Sequence, residues 1–99
     1  MELRHLRYFV AVAEERNFTR AAQRLHIAQP PLSRQIQQLE ETLGVQLLER
    51  GSRPLKLTET GKFFYSHATQ LLAQTAELES MTRRVRRTCN LVSGICNKA

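Results

Sequence analysis

The chain has 99 residues, room for one small domain with a modest core. Hydrophobic residues make up 41%, too many for a disordered tail, and no run approaches the roughly 18 apolar residues of a membrane span. The 15 Lys and Arg residues against 9 acidic ones leave a net charge of +6, which favours a polyanionic partner (nucleic acid or an anionic membrane surface) without choosing between them.

Every acidic residue is Glu, and 12 of the basic residues are Arg. Arg forks onto phosphates and guanine edges. GC-rich codon usage accounts for the same bias. Cys89 and Cys96 fall late in the chain and outside metal-ligand spacing, as expected of a reduced cytosolic protein with incidental thiols. The opening MELRHLRYFV interleaves charge with apolar residues and does not read as a signal peptide.

Residues Leu3 to Glu15 carry Leu6, Val10 and Ala13 in helical spacing after Leu3, with Phe9 beside them. Asn17 is a candidate N-cap for a second helix over Phe18 to Leu25. Ala21, Ala22 and Leu25 give that helix a narrow face that a neighbour can approach closely. A short connection then reaches Pro30 and Pro31, residues tolerated in a helix's first turn. The spacing of Leu32, Ile36, Leu39 and Leu43 predicts a third helix from Pro30 to Leu43, ended by Gly44. At about 100° per residue, Arg34 points almost opposite that stripe. The exposed face near the start of this helix thus offers Ser33, Arg34 and glutamines, Gln37 among them.

Leu47 to Arg50 and Leu55 to Leu57 read as two short strands around a Gly51-Ser52-Arg53-Pro54 turn. So small a hairpin must pack on the helices, and its tip carries Arg53 with Arg50 and Lys56 nearby. Thr58 is a good N-cap, and Glu59 suits the first turn of a helix running to Arg87. Phe64, Ala68, Leu71, Thr75, Leu78, Thr82 and Val85 repeat like a coiled-coil seam, weakened by its threonines. At ~1.5 Å per residue this helix measures ~43 Å, longer than a small body covers, so its second half calls for a partner chain. The alternative is that the seam packs on the chain's own body. Residues 1–58, 59–88 and 89–99 therefore divide into a folded head, a dimerisation helix, and the start of a linker or chain end.

Three helices, a tight second turn and a following hairpin describe a mainly α fold, a winged helix-turn-helix with a long C-terminal helix. In such modules one helix enters the major groove of DNA. Arg there pairs with guanine O6 and N7, and Gln with adenine. A helix N-terminus favours a phosphate. Arg53 at the wing tip suits a narrow minor groove. His5, His26 and His67 are scattered, with no carboxylate or Cys at ligand spacing, so surface or packing roles outweigh a metal. No Gly-rich phosphate loop, nucleophile elbow or paired carboxylates point to an enzyme. A helical dimer whose basic face meets an acidic protein is the competing reading.

At NFTRAAQRL, AQPPLSRQIQQLEETLG, LLER and LTETG, in this order from Phe9 to Gly61, the chain resembles the LysR-type transcriptional regulators. The opening MELRHLRYFVAVAEE and the run QPPLSRQIQQLE look most like the subgroup controlling aromatic-compound catabolism. The resemblance implies a bacterial cytoplasmic DNA-binding domain that acts as a homodimer on two half-sites of promoter double-stranded DNA. It places Gln29, Pro30, Pro31, Ser33 and Arg34 at the groove, with Gln37 further along the same helix. Thr19 and Arg20 would lie near backbone phosphates, and Arg53 would be the wing contact. Phe64, Ala68, Leu71, Thr75 and Leu78 would pair with a second copy. It further implies a larger effector-binding domain beyond this stretch, with a small-molecule effector there and no cofactor or metal here. One departure is Ala28, where many members carry Ser: a side-chain cap is lost at the start of the third helix.

Overall fold

The elements follow the order α1 (Leu3–Glu15), α2 (Phe18–Leu25), α3 (Gln29–Leu43), β1 (Leu48–Glu49), β2 (Lys56–Leu57) and α4 (Glu59–Leu91). The structure, a computed structural model, describes residues 1–91, with side chains through Arg86. Most of the expected 89–99 linker lies outside the described residues, and α4 runs past Arg87 through Leu91.

Each end has a local cause. Glu2 and His5 form a reciprocal cap on α1, where the Glu2 amide donates to His5 Nδ1 at 3.0 Å. This uses one of the three histidines for capping. The Asn17 side chain accepts from the Arg20 amide at 2.9 Å, so the expected cap of α2 forms. Thr58 caps α4: its hydroxyl accepts from the Gly61 amide at 2.9 Å and donates to the Gln46 carbonyl at 2.7 Å. Gly44 ends α3 at φ +72°, a left-handed conformation that favours glycine.

α1 lies at the centre, so it buries a face wider than one stripe: Leu6, Phe9, Val10, Ala11 and Val12. Leu3, expected on that face, is exposed because it lies beyond the packed neighbours. The main core joins Phe9, Val12, Ala21, Ala22, Leu32, Ile36, Leu39, Leu47 and Leu48. A second cluster, Leu6, Val10 and Ala68, fastens α4 to α1. On α3, Leu43 is partly exposed and the fourth buried position is Glu40.

The wing is antiparallel, with Leu48 opposite Leu57 and Glu49 opposite Lys56, shorter than the expected strands. Arg16 adopts a left-handed conformation at the end of α1, and its carbonyl accepts from the Leu55 amide at 3.2 Å. That bond ties the far side of the wing turn to the helical body.

A polar tether joins three helices. Tyr65 on α4 donates to the Glu14 carboxylate at 2.7 Å, and Arg24 on α2 pairs with Glu14 at 2.7 Å and Glu15 at 3.3 Å. The Tyr65 bond, then Arg24, holds Glu14 below the usual carboxylate range, and the same bond to Glu14 raises Tyr65. A depressed carboxylate contributes stability present above its unfolded pKa and lost as pH falls through its folded pKa. Tyr65→Phe should cost about 0.5–1 kcal/mol at neutral pH, because solvent screens this exposed tether, and should flatten the acid limb of stability. Urea melts of both proteins across the acid range check this; parallel pH curves would count against it.

Candidate nucleic-acid interface

The turn between α2 and α3 is short and closed by backbone bonds. His26 takes a left-handed conformation, and its amide and that of Ile27 donate to Gln23 and Ala22 carbonyls at 3.2 and 3.0 Å. α3 then starts at Gln29, one residue earlier than expected, with Ala28 as an N-cap that lends no side-chain bond. The missing cap matters little here. Pro30 and Pro31 have no N–H to satisfy, so two of the usual orphan donors do not exist. The same prolines weaken the anion site expected at this helix end, leaving fewer amides to face a phosphate.

With Leu32, Ile36 and Leu39 buried, the opposite face of α3 is left to solvent. Pro30, Pro31, Arg34 and Gln37 are exposed, and Gln29 and Ser33 are half-buried. Thr19 and Arg20 are exposed on the first turn of α2. Thr19 and Arg53 come together: with Arg16, Asn17, Phe18, Ser52, Pro54 and Leu55 they line a cleft of about 430 Å³ between the start of α2 and the wing turn. Arg20 does not line it.

Charge pairing separates the cations. Arg4, Arg24, Arg50 and Lys62 pair with Glu2, Glu14 and Glu15, Glu40, and Glu59 respectively. Arg20, Arg34 and Arg53 have no ion-pair partner among the described residues, a property shared by Arg7, Arg16, Lys56, Arg83 and Arg86. Arg50, grouped by sequence with the wing tip, is instead drawn inward by Glu40. No group of three or more His, Cys, Asp or Glu residues is arranged to hold a metal among the described residues.

The long helix offers two apolar faces rather than one. Phe64 meets Phe9 edge-on, centroids 5.3 Å apart, and Ala68 is buried against Leu6 and Val10. These two residues, expected in a seam between chains, pack on their own chain, because the start of α4 lies across α1. Thr75 is half-buried, and its hydroxyl donates to the Leu71 carbonyl at 2.9 Å. Leu71 and Leu78 are 47% and 60% exposed. With them stand Phe63 (66% exposed, 4.4 Å from the His67 ring), Met81 and Val85. Positions 63, 67, 71, 74, 78, 81 and 85 repeat at helical spacing, so the unpartnered stripe lies about a quarter-turn from Phe64 and Ala68.

A helix-turn-helix with a polar, cationic outer face on its third helix, an arginine-tipped wing and a long trailing helix defines a winged helix-turn-helix DNA-binding domain. Residues 3–62 match the model of the bacterial regulatory helix-turn-helix proteins of the lysR family, and the chain belongs to that family. It is 67% identical over 85 residues to the HTH-type transcriptional regulator BenM of Acinetobacter baylyi, an alignment covering 86% of this chain and 28% of BenM. It is 61% identical over 85 residues to a probable cat1 operon transcriptional activator of Acinetobacter lwoffii, covering 86% of this chain and 28% of that protein. A crystal structure of a BenM_DBD/catB site 1 DNA complex superposes with a TM-score of 0.86 at 66% identity, covering 87% of this chain and 97% of that one. The chain thus spans under a third of the curated relatives' length. These relatives are regulators and not enzymes. No helix among the described residues is long and apolar enough to cross a membrane.

Proposed function

We propose that this domain binds promoter DNA as a homodimer, placing the outer face of α3 in the major groove at each of two half-sites. Arg34 reads a guanine edge, Ser33 and Gln37 contact neighbouring bases, and Gln29, Pro30 and Pro31 shape the approach. Thr19 and Arg20 touch backbone phosphates, and Arg53 reaches the adjacent minor groove. The observation that carries this reading is the pairing pattern. Arg34, Arg20 and Arg53 stand exposed without a carboxylate, while Arg24 and Arg50 are neutralised within the fold. Unpaired guanidinium groups retain their full attraction for phosphates and base edges.

Similarity to BenM and to the cat1 operon activator supports control of genes for aromatic-compound breakdown. It also supports a small-molecule effector bound by a region outside this stretch, and a bacterial cytoplasmic location. Arg34→Ala should weaken binding of a preferred duplex by about 1–3 kcal/mol and relax preference at one base pair. Competition titrations against duplexes varied at each position measure this, and unchanged binding would remove Arg34 from the groove.

The dimer rests on Leu71 and Leu78, which with Phe63, Met81 and Val85 form the apolar stripe left bare along α4. Of the residues first expected in the seam, Thr75 borders that stripe and Phe64 and Ala68 support the helix from behind. Leu71→Arg places a charge in the interface and should shift the chain toward monomers while its far-ultraviolet spectrum stays helical. Sedimentation of a chain that remains fully dimeric after this change would refute the interface.

A further inference from the structure

Glu40 is the one buried charged side chain among the described residues, at 6% exposure. It sits on α3, six residues beyond Arg34. Its carboxylate accepts from the amides of Leu47 and Leu48 at 2.8 and 3.2 Å and from the Arg50 guanidinium. Leu48 is paired with Leu57 in the wing, and the Leu47 carbonyl accepts from the Thr58 amide at 3.0 Å. Arg50 opens the wing turn, three residues before Arg53. One carboxylate therefore holds both the root of β1 and the first residue of the turn to the helix that carries the reading face. Six residues of α-helix separate Arg34 from this clasp by about 9 Å along the axis, a rigid spacing.

We propose that Glu40 is a positioning residue for DNA recognition: through Arg50 it fixes the offset between the base-reading face of α3 and the Arg53 contact of the wing. This rests on the function proposed above. Arg50 is half-exposed and contributes little to the core, and its guanidinium is bound to the internal Glu40 carboxylate. Glu40→Gln keeps one carbonyl oxygen for the amides of Leu47 and Leu48 but turns a donor or a neutral group toward Arg50. It therefore severs the charged arm of the clasp while leaving the fold an acceptor.

The test is a double-mutant cycle between positions 40 and 53, read by binding to the duplex most enriched from a random pool. Arg53→Ala should weaken the unaltered protein about fivefold and lower the salt slope by about 1. In the Glu40→Gln background the same change should weaken binding less than about twofold, because the wing contact is already misplaced. Arg50→Met, which leaves the carboxylate and both amide bonds in place, should reproduce the Glu40→Gln result and serves as the second variant if Glu40→Gln unfolds. Equal Arg53→Ala effects in all backgrounds overturn the proposal, as does Arg50→Met acting where a folded Glu40→Gln does not. If the unaltered chain enriches no sequence, the proposed function itself fails; if it does and the cycle is additive, only the positioning role fails.

Discussion

Gly61→Ala should destabilise the domain by about 2–4 kcal/mol, lowering its melting temperature by about 10–20 °C. The sign is the opposite of what helix propensity alone gives, since Ala in place of Gly inside a helix is favoured by about 1 kcal/mol. A Cβ built on Gly61 would stand 2.0 Å from the Leu47 carbonyl oxygen and 2.9 Å from its carbon. Neither neighbour is a side-chain end that can swing away. The Leu47 segment is held by Glu40 through its amide and by Thr58 through its carbonyl. To admit a methyl group, the first turn of α4 must lift from the root of the wing, and the Thr58 bond to Leu47 goes with it. Thermal melts at fixed protein concentration, with Ser66→Ala on the exposed face of the same helix as control, measure the effect. A Gly61→Ala protein that melts higher than the parent would show that helix propensity, and not the approach to Leu47, governs this position.

Glu40→Ala should cost about 2–4 kcal/mol. Removal of the carboxylate leaves the amides of Leu47 and Leu48 buried without acceptors and releases Arg50. Most of the cost comes from the two amides, because Arg50 is half-exposed and returns to water at little expense. Glu40→Gln, which keeps an acceptor, should cost only about 1 kcal/mol. Equilibrium urea unfolding separates the two. Equal losses for Ala and Gln would mean that the charge, and not the amide acceptor, carries the stability.

The elements legible in the sequence are those whose signals are local. The cap of α2 needed only Asn17 before an amphipathic run, and the start of α4 needed only Thr58. The turn after α3 needed only Gly44. The wing was visible as two apolar pieces around Gly51, although its ladder is shorter than the pattern suggested. Arg34 followed from geometry, since a buried stripe of Leu32, Ile36 and Leu39 leaves it outside, whereas Gln29, Pro30 and Pro31 were placed at the groove by the family resemblance alone.

What escaped the sequence depends on contacts between distant segments. Nothing within a few residues of Glu40 reveals that the amides of Leu47 and Leu48 return to it. The signal available was the exchange of places with Leu43, where a fourth stripe position falls past the end of the covering layer. That Phe64 and Ala68 turn toward their own chain escaped for a similar reason. Phe63 and Phe64 are adjacent, each begins a helical repeat of apolar residues, and periodicity cannot say which face the body of the chain takes. Only the packing of Phe64 on Phe9 and of Ala68 on Leu6 decides it. The tether of Tyr65 to Glu14, across 51 residues, is equally non-local.

Whether this domain reads DNA sequence as a dimer is decided by selection from a pool of random duplexes with the unaltered chain, followed by titration of the enriched duplex against salt. A dimeric reader enriches an inverted repeat, with half-sites about one helical turn or a multiple apart, and keeps its sequence preference at salt levels where random duplex is released. Binding that enriches no sequence and vanishes steeply with salt would contradict that reading, leaving only the attraction of a basic surface for a polyanion.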